Sequence, residues 1–137
     1  MGKRIELPHA RLEDLERLHE FIEAACRDAG ADENVAYALR LAVEETCSNI
    51  ITHGYRGRAP GPIALSLQVN ARQIVITIAD RARLFSPDDA PPPNLGAGWE
   101  ERQVGGLGWY LIRKMVDEVR HQPNPGGGNR VTLIKRF

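Results

Sequence analysis

The sequence predicts an α/β two-layer sandwich, with three helices on one face of a mixed, mostly antiparallel sheet and one long connecting segment. Three observations carry this. The elements run helix, helix, strand, strand, long loop, helix, strand, strand, so strands come in pairs instead of alternating singly with helices. Apolar residues repeat at helical spacing in three stretches and at period two in the strand stretches. The chain has 137 residues, 42% of them hydrophobic and 26% charged, which is enough ordinary globular material to bury a core without staples.

Residues 3–7 read as a short strand. From Leu12 to Arg27 apolar residues recur at Leu12, Leu15, Leu18, Ile22 and Cys26, which is helical spacing. Gly30 is placed to end that helix and Asp32 to cap the next. The second helix is expected to continue to about His53 and to stop at Gly54. Arg56 to Pro62 have turn composition. Ile63, Leu65, Leu67 and Val69 then alternate with Ala64, Ser66 and Gln68, a strand with one apolar face. After a turn at Asn70-Ala71, Ile74 to Ala79 are nearly all β-formers, the mark of a strand that is central or buried on both faces. Residues 86–104 hold four of the nine prolines and little periodicity; a loop of that length inside a compact domain is usually functional. Gly105-Gly106-Leu107-Gly108 opens a third helix, carried by Leu107, Tyr110, Leu111, Lys114 and Met115. Val119 begins a short strand, Asn124 to Gly128 turn the chain, and Val131 to Ile134 supply the last strand. With no internal repeat, residues 1–137 are expected to form a single domain.

Eighteen basic residues balance eighteen acidic ones, so nothing in the bulk charge draws this chain to nucleic acid or to an anionic membrane. No apolar run approaches the roughly 20 residues needed to span a bilayer. The start, Met1 to Pro8, lacks the apolar stretch of a signal peptide. Cys26 and Cys47 form no spacing motif and are expected to be reduced core thiols. These features point to a soluble protein of the cytoplasm.

Chemistry concentrates in three places. On the second helix, at about 100° per residue, Glu45, Asn49 and His53 stack one turn apart, opposite a core stripe of Val35, Leu39, Val43, Cys47 and Ile50. Ala38 and Ala42 lie beside that polar row, where small side chains leave room for a ligand. Glu44 points away from it, as a solvated or capping charge. Asp80 ends a strand of β-formers, where it can accept a hydrogen bond from an amino group in a pocket. Glycines at the start of the third helix let backbone N–H groups face an anion, with the helix end adding favourable partial charge. His53 also sits where a helix ends, a place that favours a cation. Trp99 and Trp109 read as packing groups, and His9, His19 and His121 are scattered without metal-ligand spacing.

Taken together these residues resemble the GHKL ATPase superfamily, and within it the anti-sigma-factor serine/threonine kinase branch. Glu45-Thr46-Cys47-Ser48-Asn49 with His53-Gly54-Tyr55 is similar to that branch's N-box. Asp80 with Phe85 is similar to its G1 region, Gly106-Leu107-Gly108-Trp109 to its G2 box, and Gly128 to Leu133 to its closing strand. The resemblance spans about Leu12 to Phe137. It implies ATP and Mg²⁺ as cofactors, with Asn49 as the metal ligand and Glu45 as the general base. Asp80 would hold the adenine amino group. Gly106 and Gly108 would admit the phosphates, with Arg102 and His53 as secondary contacts, and residues 86–104 would form the ATP lid. It further implies a serine or threonine on a STAS-domain anti-anti-sigma partner as acceptor, a sigma factor as the sequestered partner, and a homodimer. The chain departs from the superfamily's Asp-x-Gly at Asp80-Arg81-Ala82, a tolerated variation whose added methyl and restricted φ point to weaker nucleotide affinity.

Phosphoryl transfer suits this residue set, because it needs positioning and charge neutralisation more than covalent help. Two other readings compete with the kinase. A sequestering module without phosphotransfer has no use for a general base, so Glu45→Ala separates the two. A detached histidine-kinase domain needs a second helix before the N-box, and its phosphohistidine is acid-labile where phosphoserine is not.

Overall fold

The computed structural model describes residues 2–85 and 106–137. Five strands, β1 (Gly2–Leu7), β2 (Ile63–Asn70), β3 (Gln73–Asp80), β4 (Glu118–Pro123) and β5 (Asn129–Arg136), form one sheet in the order β1-β2-β3-β5-β4. Every pairing is antiparallel, so the sheet is not mixed. The short connections of β2-β3 and β4-β5 force that sense in those two pairs. Asn70 pairs with Gln73, which leaves Ala71 and Arg72 as a two-residue turn, both at positive φ (40° and 67°). Such primed turns match the twist of the flanking strands.

The helices are α1 (Leu15–Ala29), α2 (Glu33–Asn49) and α3 (Gly106–Met115). Leu12 falls outside α1, in a 3₁₀ turn over Leu12–Asp14, and is 53% exposed. The Asp14 carboxylate accepts the Arg11 N–H there at 2.9 Å and closes that turn locally. Gly30 ends α1 at φ 74°, and the Asp32 side chain caps α2 by accepting from the Val35 N–H at 3.0 Å. The second helix does not run on as α to His53: α2 stops at Asn49 and Ile50–Gly54 form one π-helical turn, closed by the Tyr55 N–H on the Ile50 carbonyl at 3.0 Å. Single π turns of this kind are frequent at functional sites.

All helices pack from one side. Leu18, Ile22 and Cys26 of α1, Leu39, Val43 and Cys47 of α2 and Ile112 of α3 share one hydrophobic cluster with Leu65, Ile76, Ile78, Val131 and Leu133 of the sheet. In β3, Ile74, Ile76, Ile78 and Asp80 are buried while Val75, Thr77 and Ala79 are partly exposed. The strand is therefore central but buried on one face only. Its β-rich run reflects how β-branched side chains fit a pleated, half-buried surface, and the outward side stays accessible as in many antiparallel sheets. Burial pushes the Cys26 thiol up to about 11 and the Cys47 thiol up to about 12, which suits inert core cysteines.

Candidate functional site

Period-two alternation on β3 decides where Asp80 goes. It occupies the inward parity with Ile74, Ile76 and Ile78, so a carboxylate ends up 2% exposed on the helix-facing side of the sheet. One of its oxygens, Oδ1, accepts the Ala82 N–H at 2.8 Å, the Asn129 N–H at 3.2 Å and the Asn129 side-chain amide at 3.0 Å. The other, Oδ2, is buried with no partner among the described residues. Desolvation raises the Asp80 pKa above the ordinary carboxylate value, opposed by the hydrogen bonds from Asn129 and Ala82 and by the nearby His121. A buried acceptor held open against that penalty is suited to a donor from a ligand. The Asp80 charge also contributes, after burial, to raising the Cys47 pKa on α2.

Glu45 and Asn49 lie one turn apart on α2, both partly buried. The first turn of α3 is seated against them. A Cβ built on Gly108 stands 3.1 Å from Asn49 Nδ2 and 3.2 Å from Glu45 Oε2. Gly108 is there for closeness, since its backbone is ordinary helix. Asn49 Nδ2 is a second buried polar atom without a partner among the described residues. Rotating the amide exchanges its oxygen and nitrogen, so Asn49 can present an oxygen to a hard cation as readily as a donor. Desolvation, with the Glu44 charge second, raises the Glu45 pKa and makes it a stronger base than a solvated glutamate.

The remaining sequence expectations divide. His53 lies in the π turn, where desolvation and then Arg56 lower its pKa, opposite to the cation that a helix end favours. Ala38 and Ala42 are both buried, and Ala42 belongs to the hydrophobic cluster. Glu44 faces His19 at 3.9 Å with its side chain 42% exposed, consistent with a solvated role. Gly106 begins α3. Arg102, Trp99 and the lid at 86–104 lie outside the described residues. Trp109 is buried, its ring stacked on Phe85 at 5.8 Å between centroids. Among the described residues no group of three His, Cys, Asp or Glu side chains is placed to hold a metal, and no helix is long and apolar enough to cross a membrane.

Ala82 is not strained. Among the described residues only Ala71 and Arg72 are non-glycines at positive φ, so the left-handed backbone that demands glycine does not occur at 82. Its methyl instead meets Gly54, where an added Cβ would stand 2.8 Å from the Ala82 Cβ.

Sequence reading gave no site role to four residues, although Tyr55, Gly128 and Asn129 stood within the motifs it singled out. Asn129 and His121 lie on the inward parity of β5 and β4, in register with buried Val131; alternation alone was the signal that could have found them. Gly128, at φ 93°, runs so close to the Asp80 carbonyl that an added Cβ would stand 2.0 Å from its oxygen. Tyr55 donates its hydroxyl hydrogen to the Pro62 carbonyl at 2.6 Å and accepts the Arg81 N–H at 2.9 Å, pinning the backbone that follows Asp80.

Comparison with known proteins bears on this arrangement. A family model described as the histidine kinase-like ATPase domain matches residues 9–135. The serine-protein kinase RsbW of Bacillus pumilus is 32% identical over 94 residues, covering 64% of this chain and 58% of the relative. An anti-sigma F factor of Bacillus thuringiensis is 30% identical over 98 residues, covering 71% of this chain and 66% of the relative. The chain thus spans less than two thirds of the length of either relative. The crystal structure of the RsbU and RsbW domains of Rv1364c from Mycobacterium tuberculosis superimposes with a TM-score of 0.71 at 17% identity, covering 99% of this chain and 32% of that one, which shows the shared fold.

Proposed function

Because the chain belongs to the histidine kinase-like ATPase domain family, we propose that it is an ATP-dependent serine/threonine protein kinase of the anti-sigma-factor type. Its whole length, 1–137, acts as one domain with residues 86–104 as the lid. The observation that carries the reading is the unpartnered, buried Oδ2 of Asp80 on the same inward side as the Glu45–Asn49 pair. A 6-amino purine supplies the donor that this oxygen lacks.

ATP supplies the phosphoryl group, and the Asn49 amide oxygen would hold a Mg²⁺ ion that would supply charge neutralisation. The N-terminus of α3, with Gly106 and Gly108, accommodates the phosphates; Arg102 and His53 contribute secondary contacts. Glu45 takes the proton of the acceptor hydroxyl as its oxygen bonds to the γ-phosphorus and ADP departs. The acceptor is a serine or threonine of a STAS-domain anti-anti-sigma protein. When that partner is not available, the kinase, working as a homodimer in the cytoplasm, sequesters a sigma factor. Relatives named as a serine-protein kinase and as an anti-sigma F factor support both halves of this reading.

Calorimetry with ATP and Mg²⁺ tests the site. Micromolar-range binding by the wild type, lost in Asn49→Ala and in Asp80→Ala, is the expected result. Folded wild-type protein that does not bind at millimolar ATP refutes the nucleotide site.

A further inference from the structure

The side-chain amide of Asn129 makes every hydrogen bond it can make. Its two N–H hydrogens go to Asp80 Oδ1 at 3.0 Å and to the Arg83 carbonyl at 2.9 Å. Its oxygen accepts the Phe85 N–H at 2.8 Å and meets His121 Nε2 at 2.9 Å. Two donors and two acceptor lone pairs exhaust an amide. The orientation is therefore fixed, since a flip would set the oxygen against Asp80 Oδ1 and the Arg83 carbonyl, and the NH₂ against the Phe85 N–H. It follows that His121 must donate from Nε2. The histidine thus closes the lock, because without it one acceptor site on Asn129 is open and the amide is held from three sides only.

The lock has a direction. Asn129, through its backbone and side chain, gives Asp80 Oδ1 two of its three hydrogen bonds. That holds the carboxylate in one rotation and leaves Oδ2 as a bare acceptor aimed away from the protein's own donors. A carboxylate free to rotate, or to take a proton on Oδ2, could satisfy a carbonyl as well as an amine. One whose Oδ1 takes three donors cannot turn freely, and while ionised its Oδ2 accepts only from a donor.

We infer that Asn129 and His121 are positioning residues that set base specificity, making Asp80 read a 6-amino purine and reject a 6-oxo purine. The inference rests on the nucleotide reading above and concerns residues outside the Glu45, Asn49 and Asp80 set. A site built to bond a substrate's donor discriminates strongly against an analogue lacking it, because the buried acceptor is then left unpaired.

The test is the ratio of ATP to inosine triphosphate affinity, measured by calorimetry in Mg²⁺ buffer. The variants are His121→Leu, His121→Gln and Asn129→Ala, each checked for a cooperative thermal melt. His121 is partly exposed, so its substitution leaves the fold standing if Asn129→Ala does not. The wild type is expected to prefer ATP more than tenfold. His121→Leu narrows the preference at least threefold, His121→Gln restores it through a replacement N–H, and Asn129→Ala brings it close to unity. General loosening would weaken both nucleotides alike and leave the ratio in place. An unchanged ratio in His121→Leu overturns the inference, as does a wild type that binds both nucleotides equally; in both cases the nucleotide site itself stands. A wild type that binds neither removes the nucleotide reading, and this inference with it.

Discussion

Replacing Gly108 with Ala should strengthen the fold while weakening the site. The residue lies inside α3, where glycine is about 1 kcal/mol less favourable than alanine because of the backbone freedom it surrenders. The new methyl would stand 3.1 Å from Asn49 Nδ2 and 3.2 Å from Glu45 Oε2, tighter than ordinary van der Waals contact but against the ends of side chains that can give way. The two effects oppose each other. The net change in stability should fall between zero and about 1 kcal/mol in favour of the variant, roughly 0–4 °C in Tm for a domain of this size. Binding has no such compensation. The methyl fills the space between α3 and the two residues assigned to the metal and the acceptor, so ATP affinity should fall at least tenfold, about 1.4 kcal/mol. Thermal melts and Mg²⁺-ATP calorimetry on the same preparation read both quantities. A variant with unchanged melting and unchanged affinity would refute the assignment of this contact to the phosphate end of the site. One that is strongly destabilised would refute the claim that only side-chain tips are in the way.

Gly128→Ala should cost more than about 3 kcal/mol in urea unfolding, since the Cβ meets backbone at 2.0 Å and the φ of 93° is left-handed; a loss below 1 kcal/mol would contradict that geometry. Gly54→Ala should destabilise through its 2.8 Å approach to the Ala82 methyl, and Ala82→Gly in the same chain should recover most of the loss. Additive effects in the double variant would show that the two positions do not share one space. Asp80 has a pKa raised in the folded state, first by desolvation, so its ionised form weighs against folding at neutral pH and that penalty disappears as pH falls below its unfolded value. Asp80→Asn should therefore be at least as stable as wild type near pH 8, with the margin shrinking on acidification, while ATP binding is lost. A variant clearly less stable at pH 8 would mean that the three bonds to Oδ1 outweigh desolvation. Glu45→Ala should lower phosphotransfer about 10²–10⁴-fold with ATP binding kept. In the wild type the rate should rise with pH through the raised Glu45 value, above the usual glutamate range; equal transfer by both proteins would favour a sequestering module.

The row on α2 was legible because helical spacing needs only local sequence. Glu45 and Asn49 are four apart, and Asp32 and Gly30 fix where the helix begins and its predecessor ends. Asp80 was legible as the end of a strand of β-formers, and glycines 106 and 108 as a helix start. At Ala82 a sequence pattern shows which residue is missing but not the backbone angle, and the structure supplies that angle: the left-handed conformation is not required there. For His53 the helix-end argument is purely local, whereas desolvation in the π turn and then the Arg56 charge, both set by the fold, lower its pKa.

What the sequence determined by itself is the set of elements, their order and the polar groups each one carries, because periodicity and caps act over a few residues. Tertiary structure decided how those groups meet. The strand order β3-β5-β4 sets Asp80 beside Asn129 and Asn129 beside His121, residues 49 and 8 positions apart in the chain. It brings Gly128 against the Asp80 carbonyl and Gly108 against Glu45 and Asn49. Hydrogen bonds and close contacts of that kind are fixed by register and layer packing, and no local pattern encodes the distance between two strands that are not neighbours in sequence.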